Sequence, residues 1–135
     1  SEIELKEKMD RVEDAICATK AAVKEGIVSG GGVALLNAAL DVKEKNAGER
    51  VLGKAILAPY KTILDNAGYE EYTISGNDGY GIDVVTGNMV NMIDSGIIDP
   101  LLVTKSALQN AASVATTILS TDCVINNLRI DEGNR

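Results

Sequence analysis

The chain has no histidine, no tryptophan and no phenylalanine, and only two cysteines and two prolines, in 135 residues. Without histidine, the His-based acid-base pairs, Cys-His nucleophiles and His-bearing zinc sites fall away together. Cys17 and Cys123 lie far apart in sequence, which is not the spacing of a disulfide framework; both are expected as buried small apolar groups in a reducing compartment. Aromatic content is limited to four tyrosines, so a core must be built from aliphatic residues and alanine, which suits closely packed helices. No apolar run approaches the length of a bilayer span and no basic-then-apolar leader opens the chain. The expectation is a soluble intracellular protein with no membrane partner.

Hydrophobic residues make up 45% of the chain, enough for one ordinary globular domain. The net charge of −7 comes from 20 acids against 13 bases, and the bases form no cluster, which speaks against a nucleic-acid partner.

The opening segment reads as a helix over residues 2–25. Ser1 and Glu4 form a capping-box pattern at the first position, as though a longer chain had been cut there, and Gly26 marks the end. Leu5, Met9, Val12, Ile16, Thr19 and Val23 recur at spacings of three and four, one stripe expected to be the buried face. Asp14 points about 180° from that stripe, among Asp10, Ala18 and Ala21. Such a face is either plain solvent surface or a docking face.

"SGGGVALL" then places Gly30, Gly31 and Gly32 before a second helix, expected over 32–44. Three glycines at a helix entry allow an anion to approach backbone amides, or simply make a tight turn; neither a phosphate-loop lysine nor the dinucleotide spacing accompanies them. Asn46, with Glu49 three residues on, caps a third helix over 47–66, which Pro59 should kink. "YTISGNDGYGIDV" reads as a hairpin over about 72–84, turning at Gly76–Gly79. A short helix over 86–94 follows. Asp99 as N-cap and Pro100 at the first helical position open a long Ala- and Ser-rich helix over 100–119. A strand over 123–128 and a frayed tail, Arg129 to Arg135, complete a mostly α-helical chain. On local grounds Asp83 and Asp99 are open to either a structural or a binding role.

Three long segments, "MDRVEDAICATKAAVKEGIVSGGGVALL", "GYGIDVVTGNMVNMIDSGIIDP" and "VTKSALQNAASVATTILSTDCVI", resemble in the same order the C-terminal part of group I chaperonins. The resemblance implies a chaperonin equatorial-domain-like helical bundle with a small hairpin and a C-terminal strand. It assigns residues 1–25 to the returning helix of an intermediate domain and 26–135 to the C-terminal half of an ATP-binding equatorial domain. It further implies nucleotide contacts at Gly31, at Asp83, Val84 and Val85 around the adenine, and at Asp99 on the ribose hydroxyls, with Asp14 as the hydrolytic acid. Asp83 stands where the family commonly has an amide, and Val84 and Val85 are bulkier than usual there. The magnesium ligand and the phosphate-binding loop belong to the half that these residues do not match, so this chain alone is expected to be inactive and to bind ATP weakly.

Partners implied by the resemblance are other subunits of a homo-oligomeric ring, a co-chaperonin lid and unfolded proteins, in the cytoplasm or an organellar matrix or stroma. The alternative from another class is a free-standing helical interaction module that has lost nucleotide chemistry.

Overall fold

A computed structural model describes residues 1–69, 74 and 78–126. The chain is mostly helical and divides into two compact units, Ser1–Thr104 and Lys105–Arg135. In the first unit, helix α1 spans Glu2–Glu25, strand β1 Ile27–Ser29, helix α2 Val33–Asp41, helix α3 Ala47–Ile56 and helix α4 Ala58–Asn66. Strands β2 (Tyr80–Ile82), β3 (Met89–Asn91) and β4 (Ile98–Pro100) follow, and helix α5, Leu101–Leu119, runs on into the second unit.

The capping box forms: Ser1 Oγ accepts from the Glu4 amide at 3.3 Å while Glu4 Oε2 accepts from the Ser1 amine at 2.6 Å. Gly26 ends α1 at φ +87°, ψ −170°, a region that in practice only glycine occupies. The expectation for the stripe is overturned. No residue of α1 is buried, and Met9, Val12 and Ile16 are 63%, 60% and 49% exposed. The periodicity is real, but nothing among the described residues covers it.

The core sits instead where α2, α4 and the segment after β3 meet, with Val33, Leu36, Tyr60, Leu64 and Met92 at 2% exposure or less. Leu57, Tyr69, Ile74, Ile82, Val90 and Ile97 pack around it. Asn46 caps α3 as expected, its Oδ1 accepting from the Glu49 amide at 2.9 Å. The single kinked helix over 47–66 proves to be two, α3 and α4, joined at Leu57. Pro59 lies in the first turn of α4, where its missing N–H costs nothing; farther inside a continuous helix its ring would strike the carbonyl four residues back.

Other elements differ from expectation. Residues 86–94 form no helix: β3 occupies Met89–Asn91, and Asn91 Oδ1 then accepts from the amides of Ile93 and Asp94 at 3.1 and 3.2 Å. That side-chain turn competes successfully with helix, as asparagine tends to. A hairpin is formed by β2–β3, register Tyr80↔Asn91, Gly81↔Val90, Ile82↔Met89, turning at 83–88, and the expected turn at Gly76–Gly79 lies partly outside the described residues. Most of the segment expected as its first strand lies outside the described residues. Residues 123–126 carry no strand, and 127 and 128 lie outside the description. Both cysteines are exposed, against the expectation of burial: Cys17 lies on the uncovered helix α1, and Cys123 lies beyond the end of α5.

In the second unit, residues 105–119 of α5 are helical and largely exposed. Its hydroxyls bond back into the helix, Thr116 Oγ1 to Ala112 O at 2.8 Å and Thr117 Oγ1 to Ser113 O at 3.0 Å.

Candidate functional site

The glycine turn is positioned by a two-stranded ribbon that periodicity did not reveal. β1 and β4 pair antiparallel with Ile27 opposite Pro100, Val28 opposite Asp99 and Ser29 opposite Ile98. The Gly30 amide extends the ladder by donating to Ile97 O at 2.9 Å, and the Leu101 amide closes its other end on Gly26 O at 3.1 Å. Asp99 is therefore a strand residue and not the N-cap of α5: the helix starts at Leu101, behind Pro100. The ribbon fixes Asp99 across from Val28, three positions before Gly31. Among the described residues no hydrogen bond or ion pair engages the Asp99 side chain.

The protein's own packing and backbone conformation bear on each glycine of the turn. A Cβ on Gly30 would lie 3.0 Å from the Ile97 carbonyl, one on Gly31 2.8 Å from Met92 Cε, and one on Gly32 2.8 Å from the Tyr60 amide nitrogen. Gly31 and Gly32 also stand at φ +62° and +78°. Gly32 is thus accounted for by backbone packing and conformation together, and Gly31 by its conformation, without a ligand. At the entrance to α2 the N-cap is Gly32; no side chain accepts from the first-turn amides, and the Val33 amide donates to Gly30 O at 3.1 Å.

Asp83, Val84 and Val85 occupy the loop of the β2–β3 hairpin. The Asp83 amide donates to Asn88 O at 2.9 Å and the Gly87 amide to Asp83 O at 2.7 Å, closing a four-residue loop in which Gly87 takes φ +76°. The Asp83 carboxylate folds back on this loop, accepting from Thr86 Oγ1 at 2.8 Å and from the Val85 amide at 3.0 Å. The Thr86 hydroxyl first, and the Val85 amide second, hold its carboxyl below the ordinary carboxylate value. Asp83 thus has a structural duty, while Val84 and Val85 are 39% and 90% exposed at the tip. Thr86 was not singled out from sequence; an aspartate followed by a hydroxyl three residues later is the signal that could have found it.

Asp14 stands apart. It is exposed on α1, twelve residues before Gly26 and so roughly 18 Å along the helix from the start of β1. The β1–β4 ribbon pairs Asp99 with Val28, three residues before Gly31, and the Asp83–Val85 loop lies on the hairpin whose Gly81 packs against Met92 and Val33. Among the described residues no group of histidine, cysteine or acidic side chains is arranged to hold a metal ion. No helix of the described residues is long and apolar enough to cross a membrane.

Residues 1–129 match the TCP-1/cpn60 chaperonin family, and the chain belongs to that family. Among solved structures it is similar to a group III chaperonin in the open state, with 28% sequence identity and a TM-score of 0.69 over 78% of this chain. The match covers 25% of the group III chain, so the sequence spans about a quarter of that relative's length.

Proposed function

We propose that these residues are the C-terminal part of a chaperonin subunit, of the group I type by its three quoted segments, that couples ATP hydrolysis to the folding of other proteins in a homo-oligomeric ring. Residues 1–25 serve as the returning helix of the intermediate domain and 26–135 as the C-terminal half of the equatorial domain. The observation that carries the reading is the β1–β4 ribbon, which sets Asp99 beside the glycine turn in a chain of this family. Location in the cytoplasm or an organellar matrix, and contact with a co-chaperonin lid and unfolded proteins, belong to the same proposal.

The donor set suits a nucleotide in part. The uncapped entrance to α2 and Gly31 suit an anionic group, the Asp99 carboxylate suits hydroxyl donors, and the exposed valines of the hairpin loop suit an apolar ring face. Bound ATP with magnesium supplies the phosphoanhydride to be cleaved. Asp14 acts as general base, a carboxylate oxygen accepting a proton from the attacking water once α1 is carried toward the glycine turn. Gly26, at φ +87° and with nothing within 4 Å of a Cβ, is the natural pivot for that movement. The phosphate loop and the magnesium ligand come from residues outside this chain.

The test is ATP binding and hydrolysis by the full-length subunit and its Asp99→Ala and Asp14→Ala variants. Asp99→Ala should weaken binding, and Asp14→Ala should slow hydrolysis with binding retained. A full-length subunit that binds no ATP refutes the reading and favours the interaction module, for which the uncovered apolar stripe of α1 is the specific support.

A further inference from the structure

One side chain joins the two segments that the proposed nucleotide site needs. Met92 is 2% exposed and belongs to the core cluster, yet its terminal atoms reach beyond it. Its Cε lies 2.8 Å from where a Cβ on Gly31 would stand, and its Sδ lies 3.3 Å from where a Cβ on Gly81 would stand. Gly31 belongs to the glycine turn, and Gly81 to the strand that leads into the Asp83 loop. The backbone of Met92 makes the same connection. Its amide donates to Gly79 O at 3.0 Å, prolonging the hairpin, and its carbonyl accepts from the Ile97 amide at 2.8 Å, where the chain enters β4 beside Asp99.

We propose that Met92 is a positioning residue: its side chain, wedged between Gly31 and Gly81, sets the separation between the glycine turn and the Asp83–Gly87 loop, and so sets nucleotide affinity without touching nucleotide. Methionine suits the task because an unbranched thioether fills an irregular gap between two backbones. The glycines complete the fit, since a methyl group on either would collide with it or with Val33 Cγ2, 2.4 Å from a Cβ on Gly81. Removing the wedge leaves both backbones present but loosely spaced, and a site held too loosely loses affinity although every contact residue remains. This inference rests on the nucleotide-site reading above.

The experiment uses the full-length subunit and its Met92→Leu, Met92→Ala and Ile56→Ala variants. Ile56 is buried outside the Met92 cluster and reports general destabilisation. ATP dissociation constants are measured by calorimetry below every melting temperature, and amide exchange is followed at Gly30 and Asp83. Met92→Leu, which conserves volume, should bind within about threefold of the parent. Met92→Ala should bind at least about tenfold more weakly, with faster exchange at both amides. Ile56→Ala should melt earlier with unchanged affinity. Parental affinity in Met92→Ala, or equal weakening in Ile56→Ala, overturns the proposal. A parent that binds no ATP sinks the nucleotide-site reading; the wedge is then judged by exchange alone, and unchanged exchange at Gly30 and Asp83 overturns it.

Discussion

Replacing Gly32 by alanine imposes two separable penalties. At φ +78° a Cβ costs roughly 1–2 kcal/mol relative to glycine. The same Cβ would lie 2.8 Å from the Tyr60 amide nitrogen and 2.9 Å from its Cα, which are backbone atoms of α4 and do not swing aside as a side chain would. Moving a packed helix by several tenths of an ångström belongs with overpacking costs of about 1–3 kcal/mol. The lost freedom of the unfolded chain returns about 0.4–1 kcal/mol, so a net destabilisation of about 2–4 kcal/mol is expected. Gly68 isolates the first penalty: it has φ +84° but nothing within 4 Å of a Cβ, so Gly68→Ala should cost no more than about 1.5 kcal/mol. Equilibrium urea unfolding of the parent and both variants, with slopes compared to confirm a common unfolding reaction, measures the difference. If Gly32→Ala is no worse than Gly68→Ala, the close approach of the glycine turn to α4 is wrong and the turn is held by conformation alone.

In the full-length subunit Asp14→Ala should lower ATP turnover by roughly 10² to 10⁴ with little change in ATP affinity or melting temperature; hydrolysis at the parental rate returns Asp14 to plain surface. The Asp83 carboxyl, held below its ordinary value of 3.8, contributes stability that is complete above that value and is lost as pH falls through the lower folded one. Thr86→Val removes the principal donor, so the Asp83 midpoint followed by NMR should move up toward 3.8; an unmoved midpoint removes the hydroxyl from the account. Ile16→Ala should change the stability of residues 1–135 by no more than about 0.5 kcal/mol, since the side chain is half exposed there, but should cost about 2–5 kcal/mol where the rest of a subunit covers α1. Equal small effects in both proteins would leave the stripe uncovered in the full subunit as well.

The elements legible in sequence were those whose signals are local. Ser1 and Asn46 cap α1 and α3 because an oxygen side chain placed just before a helix has few better partners than the third amide along. Gly26 ends α1 with positive φ, as its place after the periodic segment indicated. The illegible parts depend on distant residues or on a competing local bond. β1 and β4 are three residues each, too short for periodicity to show, and each exists because the other, some seventy positions away, completes its ladder. Residues 86–94 have an acceptable helical pattern, but Asn91 offers the backbone a side-chain acceptor and the segment turns there. The α1 stripe was read correctly as a stripe and wrongly as buried, because amphipathicity shows that a face seeks cover and says nothing of what supplies it.

The glycine turn shows why packing and ligand readings of one motif need not compete. Sequence alone left "SGGG" divided between a tight helix entrance and an anion site, and the backbone contact at Tyr60 with positive φ at Gly31 and Gly32 gives those two glycines a structural reason. That requirement has a chemical by-product. A helix whose cap must be glycine cannot carry a serine or aspartate to satisfy its own first-turn amides, so α2 keeps an uncapped, electropositive entrance. The ribbon that sets Gly30 against Ile97 is the same one that pairs Asp99 with Val28, on the strand leading into the glycine turn. Substituting a capping side chain for Gly32 would therefore damage both properties together, whereas Asp99→Ala leaves all three glycine contacts intact and removes only the carboxylate. Of the two, only Asp99→Ala can separate binding from folding.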